Sequence, residues 1–211
     1  FWLFYSIRSY GELSNGVGVV SWPKQPDGWR AQLTVQNATN FPAASEVLFT
    51  GPAGSLIAEQ PPDRDSGEHY KHYYYVSGPS AAPPTGNWHV QYAADAFTFP
   101  MADPQVSSRY VVMVPTVVLS NGYLTSVSWS YHDPTTGVAL ASLPDYVAGS
   151  RSVTVSVIDG EDYDSPPGDR TRTSHDLDPL FGSIPEWNNV RSVDIGFHDN
   201  LGNTFAFYYS K

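Results

Sequence analysis

The residues of this 211-residue chain that could do chemistry are its six histidines and its twenty-one carboxylates, and their spacing decides which chemistry is open to them. His69-Tyr70-Lys71-His72 runs into Tyr73-Tyr74-Tyr75, with His89 further on. Three imidazoles drawn together would make a zinc site. Two histidines three apart on a strand face opposite sides, however, and Lys71 between them would repel a cation. The run reads instead as a polar strand end leading into a tyrosine-rich strand, whose rings cover apolar surface while their hydroxyls stay wet. Histidine precedes aspartate at His132-Asp133, His175-Asp176 and His198-Asp199. Neighbours on a strand diverge, so none of these is an acid–base pair in itself. Asp133-Pro134 and Asp199-Asn200 are turn chemistry.

A carboxylate pair for glycoside hydrolysis would need acids brought from distant strands, and none is singled out. There is no G-x-S-x-G elbow, Walker loop, dinucleotide fingerprint or H-E-x-x-H. The densest run of acids spans Asp159 to Asp169, with Asp176 and Asp178 following. Calcium takes such hard oxygen ligands. The run lacks the glycine and the closing glutamate of a twelve-residue calcium loop, and Arg170 and Arg172 offset part of its charge. The expectation is a solvated loop between Ile158 and Arg191 with no metal; Asp159, Asp162 and Asp164 would be the ligands were one held. No cofactor is expected.

Aromatic residues are the remaining constellation: fourteen tyrosines, ten phenylalanines and six tryptophans. Trp22, Trp88 and Trp129 fall on alternating strands and are expected in the core. Trp29 after Pro26-Asp27-Gly28, and Trp187 after Ile184-Pro185-Glu186, flank turns and are expected to be partly exposed. Exposed rings stack on sugars or anchor protein contacts. The candidate ligand-binding residues are therefore Trp29, Trp187, Tyr73 and Tyr75.

The elements that must position these residues are strands. From Tyr110 to Asp133 the chain reads as one hairpin: Tyr123, Thr125, Val127, Trp129 and Tyr131 alternate with serines, the pattern of a sheet with one dry face. Pro115 in the first arm suggests an edge strand or a bulge, and Ser120-Asn121-Gly122 supplies the turn. Leu13-Ser14-Asn15-Gly16 repeats Leu119-Ser120-Asn121-Gly122 at a displacement of 106, and Val20-Ser21-Trp22 repeats Val127-Ser128-Trp129 at 107. With similar spacing between Pro61-Pro62 and Pro166-Pro167, this predicts an internal duplication. Domain 1 would cover 1–104 and domain 2 105–211, joined by Met101 to Gln105. Strands are expected at 1–10, 17–22, 29–35, 46–50, 72–77, 88–93 and 96–100, then at 110–119, 123–131, 138–143, 152–158, 191–198 and 203–209. Pro61 to Gly67 reads as a charged loop. Short strands parted by Gly and Pro turns resemble, at the level of class, tandem immunoglobulin-like or fibronectin-III-like β-sandwiches in an all-β chain.

Charge and cysteine content bear on partners and compartment. A formal net charge of −10 with three lysines leaves no basic stripe for nucleic acid. The absence of cysteine excludes disulfides and thiolate sites. Phe1 to Tyr5 is too short to span a bilayer; on this reading a signal sequence or membrane anchor would precede Phe1. A lysine-poor, aromatic, Ser/Thr/Gly-rich β chain points to an exported bacterial protein at the cell surface, in the periplasm or outside the cell. The expected role is a non-catalytic binding or spacer module with a protein or glycan partner. A carbohydrate-binding module of a larger extracellular enzyme comes second and an unrecognised hydrolase third.

Overall fold

The computed structural model describes residues 2–36, 47–52, 57–60, 64–65, 70–76, 86–92, 94–101, 109–142, 144–157, 162–164, 173–177, 184–199 and 203–211. Most of them lie in strands. The strands are Trp2–Ser14 (β1), Val17–Val19 (β2), Gly28–Gln36 (β3), Val47–Thr50 (β4), Ile57–Gln60 (β5), Arg64–Asp65 (β6), Tyr70–Val76 (β7), Gly86–Tyr92 (β8) and Asp95–Met101 (β9). They continue with Val112–Ser120 (β10), Tyr123–His132 (β11), Val147–Val157 (β12), Asp162–Asp164 (β13), Ser174–Asp176 (β14), Val190–Asp199 (β15) and Thr204–Ser210 (β16). Trp187–Asn189 forms a single 3-10 turn. Among the described residues no helix is long and apolar enough to cross a membrane.

The chain divides into two compact units: Phe1–Ile7 with Gly28–Ser108, and Arg8–Asp27 with Arg109–Lys211. Most of the linker expected at Met101 to Gln105 lies outside the described residues. The sequence does not suggest that Arg8–Asp27 belongs with the second unit.

In the first unit β1 pairs with β3, β3 with β7 and β7 with β6, while a second sheet runs β5-β4-β8-β9. Alternation decides what is buried. On β3 Trp29, Ala31 and Leu33 turn inward; on β8 Trp88, Val90 and Tyr92 are buried and His89 and Gln91 exposed. The two layers meet at three rings: Tyr5 and Trp29 edge to face at 5.9 Å, and Trp88 at 6.3 Å from each. The Trp88 indole N–H donates to the Tyr5 hydroxyl at 2.6 Å, so a buried polar group finds its partner inside the core.

In the second unit one sheet runs β13-β12-β15-β16-β1-β2-β10-β11-β14. It curls so that its apolar faces meet. Tyr131 of β11 stands edge-on to Phe197 of β15, Tyr110 stacks on Phe207 of β16, and the Tyr209 hydroxyl donates to the Met113 carbonyl of β10. Gly11 is required by this packing, because a Cβ there would lie 2.5 Å from the Tyr209 ring.

Both LSNG segments make the same turn. Asn15 and Gly16 have φ of 51° and 79°, and Asn121 and Gly122 of 51° and 85°, closing two-residue hairpins between β1 and β2 and between β10 and β11. Two consecutive positive-φ residues are what a type I′ turn demands, which accounts for the likeness locally. The hairpins lie side by side in one unit, β2 pairing with β10 through Val17 and Thr116. The expected duplication would have put one copy in each domain. This strand order does not establish two tandem immunoglobulin-like domains; it shows a nearly all-β chain with a curled sheet and a second, smaller one.

Pro115 is not on an edge, since β10 pairs on both sides. On the β2 side the ladder shrinks to one register pair, and Gly18 makes room for the proline: a Cβ at Gly18 would lie 2.5 Å from Pro115 Cδ. The register shift falls instead between Val118 and Leu119. It explains a departure from strict alternation on β11, where Val127, Trp129 and Tyr131 are buried as expected but Leu124 replaces Tyr123 and Thr125 inside. The strand expected at 138–143 is reduced, among its described residues, to an isolated bridge between His132 and Ala139. The charged loop expected at 61–67 contains β6, and the loop expected between Ile158 and Arg191 contains β13 and β14.

Candidate functional site

The expected ligand-binding residues do not converge. Trp29 is 3% exposed and belongs to the core of the first unit, because the inward alternation of β3 begins at Trp29 itself. Tyr73 and Tyr75 lie on β7 opposite Leu33 and Ala31 of β3; their side chains fall outside the description. Trp187 is half-buried in the 3-10 turn, its backbone N–H donating to the Gly122 carbonyl and its ring lying 4.3 Å from the Lys211 ammonium. That cation–π contact holds the ring to the residue that follows β16.

The histidines and acids are largely built into the fold. His89 Nδ1 lies 3.0 Å from the Thr98 hydroxyl, while His69 lies outside the described residues. Asp199 is buried, accepts from the Asn203 backbone and side-chain amides, and lies 3.6 Å from the Arg109 guanidinium. Asp162 and Asp164 sit on β13 opposite Ser156 and Thr154, whereas Asp159 lies outside the described residues. Among the described residues no three His, Asp or Glu side chains gather as a metal would require.

What the sequence reading missed is Trp22. Expected in the core, it stands outside β2, which ends at Val19, and keeps 36% of its surface exposed. The loop from Val20 to Asp27 carries Pro23 and Pro26, which cannot extend a ladder, and this was the available signal. The indole stacks on His132 at 5.8 Å with an interplanar angle of 27°. Gly137, at φ 73°, comes so close that a Cβ would lie 2.8 Å from three ring atoms.

Three sets of hydrogen bonds fix this corner. His132 donates through Nδ1 to the Gly137 carbonyl at 3.0 Å, and its Nε2 lies 2.8 Å from the Ser130 hydroxyl. Asp133 accepts from the Thr135 and Thr136 backbone amides and from the Thr136 hydroxyl. The Thr136 donors hold its carboxyl below the usual carboxylate range, so it stays ionised as the cap of the turn. The Lys24 amide donates to the Pro134 carbonyl at 2.8 Å, tying the Trp22 loop to that turn. The result is a partly exposed indole with a supported ring; Ser130, whose hydroxyl lies against His132, and Thr136, which precedes Gly137, are exposed.

A second exposed feature lies on the paired hairpins. Val17, Val19, Val118, Leu119 and Tyr123 all keep more than two-fifths of their surface in solvent. Comparison with protein-family models and with curated protein sequences gave no match.

Proposed function

We propose that this chain is a non-catalytic binding module of an exported bacterial protein, with its contact surface on the second unit. The observation that supports it is Trp22: a large ring left in solvent while its neighbours hold it in place. Immobilising a side chain before contact removes an entropy penalty that a binding surface would otherwise bear, on the order of 0.5–1.5 kcal/mol per side chain. His132 is taken up as a stacking partner, Asp133 as a turn cap and Asp199 in a buried ion pair, which favours binding over catalysis at these residues. Within the same proposal each unit is a sandwich-type module related to the immunoglobulin-like class, a reading supported by the inward-facing strand alternation of both.

The test is an alanine scan of Trp22, Tyr123 and Trp187 in a screen of immobilised glycans and extracellular proteins. The expected outcome is a ligand whose binding falls with Trp22→Ala while the thermal midpoint stays near that of the unmodified protein. If every ligand found binds all three variants as it binds the unmodified chain, the contact surface is not here.

A further inference from the structure

We infer that Trp22 is a stacking platform for a neutral pyranose ring, with the exposed Ser130 and Thr136 as its polar rim. This rests on reading the second unit as a binding module and adds the chemical class of the ligand. A pyranose presents a face of C–H bonds and an edge of hydroxyls. The first matches the electron-rich face of an indole, and the second needs short polar donors and acceptors beside it. The Trp22 corner offers both.

Ring orientation is set by groups that have no freedom to follow a ligand. His132 is held at both of its nitrogens, one by the Gly137 carbonyl and one near the Ser130 hydroxyl. Gly137 abuts the ring where any Cβ would collide, and the Lys24–Pro134 bond pins the loop. Ser130 is bonded to the His132 that stacks on Trp22, and Thr136, bonded to Asp133, immediately precedes the Gly137 that abuts it.

Charge selects neutral over anionic sugars. The one lysine in the Trp22 loop, Lys24, is already paired with Asp27, and Asp133 sits ionised in the facing turn. With a formal net charge of −10 over the whole chain, a carboxylated or sulfated glycan would meet repulsion with no free cation in this loop to offset it. A protein ligand would use the same indole as a buried anchor, but its natural seat would be the aliphatic side chains of the two hairpins rather than a rim of hydroxyls.

The experiment titrates the intact chain with cellohexaose, xylohexaose, mannohexaose, laminarihexaose and chitohexaose, reading tryptophan fluorescence and the proton NMR spectrum of the sugar. At least one should bind with its ring C–H protons moved upfield by the indole ring current. Trp22→Ala should abolish that shift and weaken binding about tenfold or more, Trp22→Phe should keep part of it, and Trp187→Ala should leave it unchanged. The upfield shift is read on the unmodified protein, so the inference stays testable even if Trp22→Ala folds poorly. It is overturned if none of the five binds, if binding occurs without the shift, or if it follows Trp187 instead. Loss of a protein ligand in Trp22→Ala, with no sugar bound, would overturn the saccharide while leaving the binding module standing.

Discussion

Three tryptophans show how far single residues can be read. Trp129 lies on a clean alternating strand and is 5% exposed. Trp129→Ala should destabilise the protein by about 3–5 kcal/mol, the usual loss for a large core aromatic, as measured by denaturant unfolding; less than about 1 kcal/mol would place the ring on the surface. Trp29 was equally legible, since Trp29, Ala31 and Leu33 alternate with Arg30 and Gln32, but the turn before it outweighed that pattern. Trp22 was not legible, because its exposure depends on where β2 stops and on Gly137, which is remote in sequence. The Trp88–Tyr5 hydrogen bond was equally beyond reach, as its partners come from different sheets. Tyr5→Phe removes that acceptor from a buried indole N–H and should destabilise by about 1–3 kcal/mol in equilibrium unfolding.

At the scale of elements, the Asn-Gly turns were the most legible features and the strand partners the least. Turn type follows from two adjacent residues, whereas which hairpin lies beside which is decided by packing across the whole unit. The two turns also differ in a way only the structure reveals. At Gly122 a Cβ would meet nothing within 4 Å, so Gly122→Ala bears only the left-handed backbone penalty of about 1–2 kcal/mol. At Gly16 the added Cβ would lie 2.7 Å from Val117, so Gly16→Ala should destabilise further than Gly122→Ala. Thermal unfolding of the pair checks this, and equal midpoints would show that Val117 yields freely. The short strands β6, β13 and β14 escaped the sequence reading because two or three residues carry no period that could be told from a loop.

At the scale of the whole molecule, buried phenols set the alkaline limit. Burial pushes the Tyr5 hydroxyl in the first unit up to about 12 from 10.0. Burial also raises Tyr110 and Tyr209 in the second unit. A raised folded-state pKa means that the unfolded chain loses its proton first. The contribution of Tyr5 is therefore complete below about pH 10 and is lost as the pH climbs toward 12. Phenolate absorbance should show these tyrosines ionising only as the protein unfolds, and ionisation ahead of the loss of circular dichroism would contradict their burial. The expected division at 104/105 also meets its test here: a fragment of 105–211 lacks the strands that stand between β16 and β10, and it should fail to give a cooperative transition unless a peptide of residues 8–27 is added back. That arrangement bears on how the chain is made. On a ribosome β1 and β2 emerge early, yet β16, their neighbour on one side, is the last strand of the sequence, and the whole of Gly28–Ser108 is synthesised between. The first unit can close while translation continues; in the second, β2 can meet β10 only after Gly28–Ser108 has been made, and β1 lacks its β16 neighbour until Thr204–Ser210 follows, so this sheet closes late.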